Sequence, residues 1–561
     1  CYDLGLLYLV SQKAAYARKA ADIMLEYAKY YKDYEVHGDI PYNGPGKAQA
    51  QTLDEAHLIR TFAETYDLIA DILSDEEKNR ICSQLLVPGM EFLKEHRNNQ
   101  IHNHEVITDS AIAVVGILLD LKDDIQFALY EPYGLLYQLT HGVTQERMWF
   151  EGTFGYHFYA LESFFSFEKF AIHTNYSQIH NPIYQEMLEL VLNYVHPDDS
   201  LPMMNDMNYG HGVLKDQWLY EFAYREIKSN KILKILNKIY ENQTRTNIDA
   251  FFYGVDFLPE ATYHCKNYHT EIGYPGHSVL HGKDGRYLLF KHDTYGGEHD
   301  HYDRLAISYL SHGERISPDL GTTGYGAVLH YDYYKNTGIH NCITIDEENQ
   351  PPQACILKRF ETSEEVTYVE AEVDWNQPYQ MPDSFTLVQW NEEAYRHVKI
   401  RRTIAWTDEY MVDLCLVDGV EDKNIDWAMH FCGKRKDINQ EDEIRVEKFT
   451  DKKPLKYLKN VCKQKAKNNI KTSYQIGLAY ANLYSYQSEG QIYTGEGPDN
   501  PSICDISYLI QRIHGKQALF FHVLESYAEK PTIQNVEFDV TQETTAVRIR
   551  TVSGERVISF K

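Results

Sequence analysis

Residues 252–277, FYGVDFLPEATYHCKNYHTEIGYPGH, divide the chain into two halves with different hydrophobic periods. On the N-terminal side apolar residues recur every three to four positions, as in LDEAHLIRTFAETYDLIADIL (53–73) and ITDSAIAVVGILLDLKDD (107–124), the spacing of one helix face. Short polar or Pro-containing breaks, LSDEEKN (73–79), HNPIY (180–184) and HPDDSLP (196–202), cut these runs into helical hairpins. The start, CYDLGLLYLVSQKAAYARKAADIML (1–25), reads as an amphipathic helix rather than a signal peptide. On the C-terminal side the runs are β-branched and aromatic with period two, in YLLFKHD (287–293), HVKIRRTIAWTDEYMVDLCLVDG (397–419) and AVRIRTVS (546–553). The expected fold is α+β and multidomain: an N-terminal (α/α) incomplete toroid over 1–265, then an antiparallel β-sandwich over 266–561. The lysine-rich stretch EKFTDKKPLKYLKNVCKQKAKNNIK (447–471) reads as a solvated surface excursion, the lesser alternative being the lining of an anionic groove.

At roughly 100–200 residues per domain, 561 residues hold at least two cores. Hydrophobic residues at 43% and charged residues at 24% describe an ordinary globular protein, not a disordered or fibrous one. A net charge of −27 argues against nucleic acid, because phosphate binding rests on clustered Lys and Arg. An acidic polysaccharide stays open, since a few Arg, His and Asn in a cleft can bind one carboxylate. The 45 tyrosines offer flat faces that suit sugar rings, with core and interface filling as the plainer alternative. No apolar run approaches the ~18–20 residues of a membrane span, and localisation stays open. Nine cysteines at irregular spacing, none in a CxxC pair, give neither a disulfide framework nor a thiolate zinc site, and most are expected to be buried thiols.

Three stretches concentrate catalytic residue types. In RNNQIHNHEVITD (97–109), His102, Asn103, His104 and Glu105 precede an apolar helix, whose positive end is a natural place to hold a carboxylate; plain capping by Asn103 is the alternative. In RMWFEGTFGYHFYALESF (147–164), Arg147, Trp149, Glu151, Tyr156 and Tyr159 surround two glycines that would allow close approach of a ligand, the alternative being a helix start with an aromatic core face. In GGEHDHYDRLAISYLSHGERISPDLGTTGYG (296–326), His299 and His301 would share one face if in a strand. One of them with Asp319 and His340 would make a three-ligand divalent-metal site, against a polar network tying turns together.

NHE before a helix, EGTFGYHFY some fifty residues on, HDHYDRLAISYLSHGERISPDLGTTGY and then HNCITID together resemble the heparinase II/III-like polysaccharide lyases, a group that includes alginate and oligo-alginate lyases. The resemblance implies the same toroid-plus-sandwich architecture and cleavage of 4-O-linked hexuronate by β-elimination, with a glycosaminoglycan as the first substrate and alginate as the next. It implies that Asn103 and His104 neutralise the uronate carboxylate and that Tyr156, with Tyr159 as competitor, and His299 are catalytic. His102, Arg147, Trp149, Glu151, Tyr159 and Arg304 are expected on the substrate. His301, Asp319 and His340 would hold a divalent metal, zinc before manganese or calcium. The chain departs from the family in carrying Asp300 where glycine is frequent and Arg304 where asparagine is common. The protein is expected as a monomer or homodimer. Two rivals stand beside this reading: a glycoside hydrolase recruiting Glu105, Glu151 and Asp206, and a catalytically silent saccharide-binding protein.

Overall fold

In the computed structural model, which describes all residues except 41–42, 209–213, 265–268, 274, 380, 437–442, 488, 542 and 561, helices run from Tyr2–Ser11 to Ile248–Tyr253 and form the incomplete (α/α) toroid. Helices Thr52–Ile69, Asn103–Leu118 and Phe154–Ala171 lie side by side. Asn103–Leu118 is buried on every side from Glu105 to Gly116, as its run of small and apolar residues allows. Asn230–Ile239 instead turns one stripe inward, Ile232, Leu233, Ile235, Leu236 and Ile239. The first 25 residues are not a single helix. Gln12 adopts a left-handed conformation (φ 54°) that closes Tyr2–Ser11, and Ala14–Tyr30 begins anew.

A five-stranded antiparallel sheet, Thr270–Gly273, Gly276–His281, Tyr287–His292, Ile307–Ser311 and Glu314–Ser317 in that order, stands between the helical core and the sandwich. Its side chains alternate between the two: Val279, Tyr287, Leu289 and Leu310 join the helical core, while Leu280, Leu288, Phe290 and Tyr309 join the sandwich core. Burial on both faces explains the unbroken apolar run YLLF. Beyond it lie an eight-stranded and a six-stranded antiparallel sheet. In the strand Tyr410–Asp418 of the larger sheet, Met411, Cys415 and Val417 face the shared core. Val412 and Leu414 face a three-stranded sheet, Ile533–Val540, Thr545–Thr551 and Gly554–Phe560.

Two further expectations change. The lysine-rich stretch contains a true strand, Lys459–Lys465, paired with Gln491–Pro498; Val461 is buried there while Lys459, Lys463 and Lys465 are exposed. Among the described cysteines Cys342, Cys355 and Cys415 are buried, Cys504 is exposed and the others are partly covered, so buried thiols are the minority; Cys265 lies outside the described residues. No helix among the described residues is long and apolar enough to cross a membrane.

Candidate active site

Loops from the toroid and from the five-stranded sheet meet at one cleft. His299 and His301 lie in the irregular segment 293–306 between the strands Tyr287–His292 and Ile307–Ser311, not in a strand, and both reach Asp206, through different ring nitrogens. Buried charges pin this segment. Lys291 Nζ donates to Asn205 Oδ1 (2.5 Å), Asp300 Oδ1 (2.9 Å) and Asp303 Oδ1 (2.6 Å). Arg304 pairs with Asp293 (2.6 Å) and Asp300 (2.7 Å) and is 2% exposed, so it is spent inside the protein and does not meet substrate as expected. Asp300 and Arg304, the two departures from the family pattern, are therefore one buried ion pair. The loop before the helix Phe154–Ala171 approaches closely: a Cβ on Gly152 (φ 71°) would sit 2.7 Å from the Asn205 amide, and one on Gly296 would sit 2.2 Å from the Phe150 carbonyl oxygen. The close approach that Gly152 permits is thus between loops, not to a ligand.

At the N-terminus of Asn103–Leu118 the cap is His102, whose Nδ1 accepts the His104 backbone N–H (3.2 Å). Asn103 is the first helical residue; its wholly buried amide donates to both oxygens of Glu151 (3.0 and 2.8 Å). Glu151 also accepts from the indole N–H of Trp149 (2.6 Å). Trp149 is itself wholly buried, so it holds Glu151 rather than a sugar. Arg147 pairs with Glu186 (2.5 Å) near the surface, away from the expected contact. Burial pushes the Glu151 carboxyl above its ordinary range, pulls His102 well below the imidazole range and lowers His104 to about 3, so both histidines are neutral near pH 7.

The Tyr156 ring stacks on the His299 imidazole, with centroids 3.7 Å apart and planes at 11°, and its hydroxyl meets that of Tyr325. Tyr159 bonds His57 Nε2 instead (2.8 Å). Burial holds the Tyr156 phenol well above its ordinary range and raises Tyr159 to about 12. His299 Nδ1 lies 3.1 Å from Asp206 Oδ2 and 2.9 Å from the Tyr325 hydroxyl, while Nε2 faces Glu151 at 3.6 Å, beyond hydrogen-bond reach. Burial would raise Asp206, but buried Lys335, 3.8 Å away, and the imidazoles of His299 and His301 hold it well below the carboxylate range.

His301, Asp319 and His340 come together, one ligand atom from each lying within 4.8 Å of the others. Their hydrogen bonds fit a cation. His301 bonds Asp206 Oδ1 through Nε2 (3.0 Å), and His340 donates Nε2–H to the Tyr334 carbonyl (3.1 Å), so each turns an Nδ1 lone pair to the cluster. His301 Nδ1 and Asp303 Oδ2 are buried without a hydrogen-bond partner, and Asp303 Oδ2 lies 3.7 Å from His340 Nδ1. A second cluster, His102, Glu151 and His299, has similar spacing but does not fit: His102 accepts at Nδ1, so its proton sits on Nε2, where a metal would need the lone pair. Sequence reasoning passed over Tyr325, although its GTTGYG turn was in the quoted stretch, and His57 and Lys335, which carry no local signal; Asp303, two residues after His301 in that stretch, was given no part in the metal site.

Residues 269–507 match the family described as heparinase II/III-like, C-terminal. The exo-oligoalginate lyase of Saccharophagus degradans is 26% identical over 384 residues, covering 62% of this chain and 51% of the relative. The alginate lyase of Stenotrophomonas maltophilia is 24% identical over 379 residues, covering 62% and 50%. The chain spans about half the length of these curated relatives. Among solved structures, a heparinase III superposes with a TM-score of 0.66 at 14% identity over 100% of this chain and 83% of that one. The heparan sulfate lyase HepC of Pedobacter heparinus gives 0.63 at 14% over 99% and 80%. At such identity the likeness is one of fold, and it spans the toroid as well as the sheets, while the family match itself is to residues 269–507.

Proposed function

We propose that the protein is a polysaccharide lyase that breaks the bond to the 4-linked oxygen of a hexuronate by β-elimination, leaving an unsaturated uronate. The observation that carries this reading is the stacked pair Tyr156 and His299 beside a helix N-terminus. The proton next to a uronate carboxylate is weakly acidic, and stabilising the enolate-like state is the electrostatic task that counts most. His104 and the positive helix end receive the carboxylate, with Asn103 beside them, its amide held by both Glu151 oxygens. His299 takes the proton through Nε2. Tyr156, kept a phenol by burial, protonates the leaving oxygen, and each role is worth typically about 10²–10⁴-fold. The carboxylates a hydrolase would recruit, Glu105, Glu151 and Asp206, are all buried, which weighs against acid–base hydrolysis by an open pair.

In the same reading His301, Asp319 and His340, with Asp303 beside them, hold a divalent cation, zinc before manganese or calcium. Bound there, the ion supplies a structural cross-link rather than a Lewis acid, because the cluster is buried behind the cleft. Glycosaminoglycans of heparan, hyaluronan or chondroitin type are one substrate class and alginate the other; since the named sequence relatives are alginate lyases, alginate oligosaccharides go first in a panel.

The test is ultraviolet absorbance during incubation with a panel of uronate polysaccharides. At least one should yield absorbing product; new reducing ends without absorbance would mean hydrolysis and overturn the lyase reading. Tyr156→Phe should lower kcat by about 10²-fold or more with saccharide binding intact, and a fully active variant would remove Tyr156 from the mechanism.

A further inference from the structure

Asp206 belongs to the toroid side of the cleft, in the segment 201–208, yet every group it touches lies in the β half. Its backbone N–H donates to the His299 carbonyl (3.1 Å). Its side chain reaches two imidazoles at once, His299 Nδ1 with Oδ2 (3.1 Å) and His301 Nε2 with Oδ1 (3.0 Å). The Tyr325 hydroxyl (3.3 Å), Lys335 Nζ (3.8 Å) and His330 Nδ1 (3.7 Å) complete its surroundings. We propose that Asp206 is the positioning residue that sets the tautomers of both histidines and so gives them different jobs. The catalytic half of this inference rests on the lyase reading of His299.

An ionised carboxylate only accepts, so both facing nitrogens carry protons. His299 is then protonated at Nδ1, which leaves its Nε2, 3.6 Å from Glu151, with the lone pair that a base needs. His301 is protonated at Nε2, with its Nδ1 lone pair turned to Asp319 and His340. One buried carboxylate from the helical half thus aligns the base and the cation ligand together, although the two histidines sit two residues apart on the same loop.

Asp206→Asn tests this because the amide is isosteric but has one accepting and one donating end. A cation at His301 Nδ1 fixes that ring's proton on Nε2, so the amide oxygen stays with His301 and the amide N–H meets His299. His299 must then accept at Nδ1, its proton moves to Nε2, and the base loses its lone pair. Zinc-loaded Asp206→Asn should keep its zinc content and melting temperature, hold KM within about threefold and lose about 10²–10⁴-fold in kcat, the cost of a wrong tautomer behind a catalytic imidazole. Asp206→Ala should lose zinc as well. ¹⁵N spectra of histidine-labelled protein, taken well above the ordinary imidazole pKa of about 6.5 and assigned with His299→Gln, should show the His299 proton on Nδ1 in the wild type and on Nε2 in Asp206→Asn. A wild-type His299 protonated on Nε2, or an unchanged tautomer and kcat in the variant, overturns the proposal. If no uronate polysaccharide is turned over, the lyase reading fails, and the nitrogen spectra still decide the tautomers.

Discussion

Two tyrosines one helical turn apart, Tyr156 and Tyr159, meet different imidazoles. Tyr156 lies flat on His299, which Asp206 orients, while Tyr159 points its hydroxyl at His57, a side chain lowered to about 4 by burial and by neighbouring Arg60. Both tyrosines are partly covered, so exposure does not separate them. Connection does: only Tyr156 joins the Tyr325, Asp206 and Lys335 network. Removing the Tyr159 hydroxyl costs one hydrogen bond to a neutral partner, about 0.5–1.5 kcal/mol. Tyr159→Phe should therefore change kcat/KM by less than about tenfold, against the far larger loss in Tyr156→Phe. Steady-state kinetics of the two variants on one uronate substrate decide it, and the reverse ranking would exchange the roles.

The helix Phe154–Ala171 is joined to the loop before it through His157, whose Nδ1 accepts the Trp149 backbone N–H (3.0 Å) and whose Nε2 donates to the Met187 carbonyl (3.0 Å). Both nitrogens are satisfied only in the neutral ring, and burial lowers the group to about 4. Between about 6.5 and about 4 the unfolded chain binds a proton that the folded chain refuses, so stability rises with pH across that window and falls on acidification, by at most about 1.4 kcal/mol per pH unit. The melting-temperature gap between wild type and His157→Gln should be widest above pH 6.5 and narrow below it; a constant gap would mean that His157 is not held neutral. A helix beginning close to EGTFGY and another close to HNHE are readable from period and turn residues, but the first already starts at Phe154 and the second takes in Asn103, His104 and Glu105. The sequence leaves strand and loop both open at 299–301, because H-D-H imitates a period of two; the buried Lys291, Asp300, Asp303 and Arg304 network, invisible to local pattern, holds it as a loop. Asp206 was noticed for the wrong chemistry and His57 and Lys335 not at all, since their partners arrive only through tertiary packing, 93 positions away between Asp206 and His299.

At the scale of the whole molecule the His301, Asp319 and His340 cluster is a junction. His301 comes from the loop that closes the cleft, Asp319 follows the last strand of the five-stranded sheet, and His340 precedes Ile343–Ile345 of the six-stranded sheet; Asp206 adds the toroid through His301. A cation there would join both sheets and the helical half. By linkage it would contribute about 4 kcal/mol at a free concentration a thousand times its dissociation constant. Chelation should therefore lower the melting temperature, and turnover with it, because His299 loses the loop that places it; adding zinc back should restore both with one midpoint. A chelated protein that kept its melting temperature and its turnover would rule the cross-link out. Two substitutions separate this role from chemistry. His340→Ala should lose zinc and melt earlier, whereas His299→Gln should keep zinc and melting temperature but lose turnover. The two failures should differ because the neighbouring imidazoles His299 and His301 share the Asp206 carboxylate through different nitrogens, Nδ1 of one and Nε2 of the other, which leaves Nε2 of His299 for the proposed base and Nδ1 of His301 for the proposed cation.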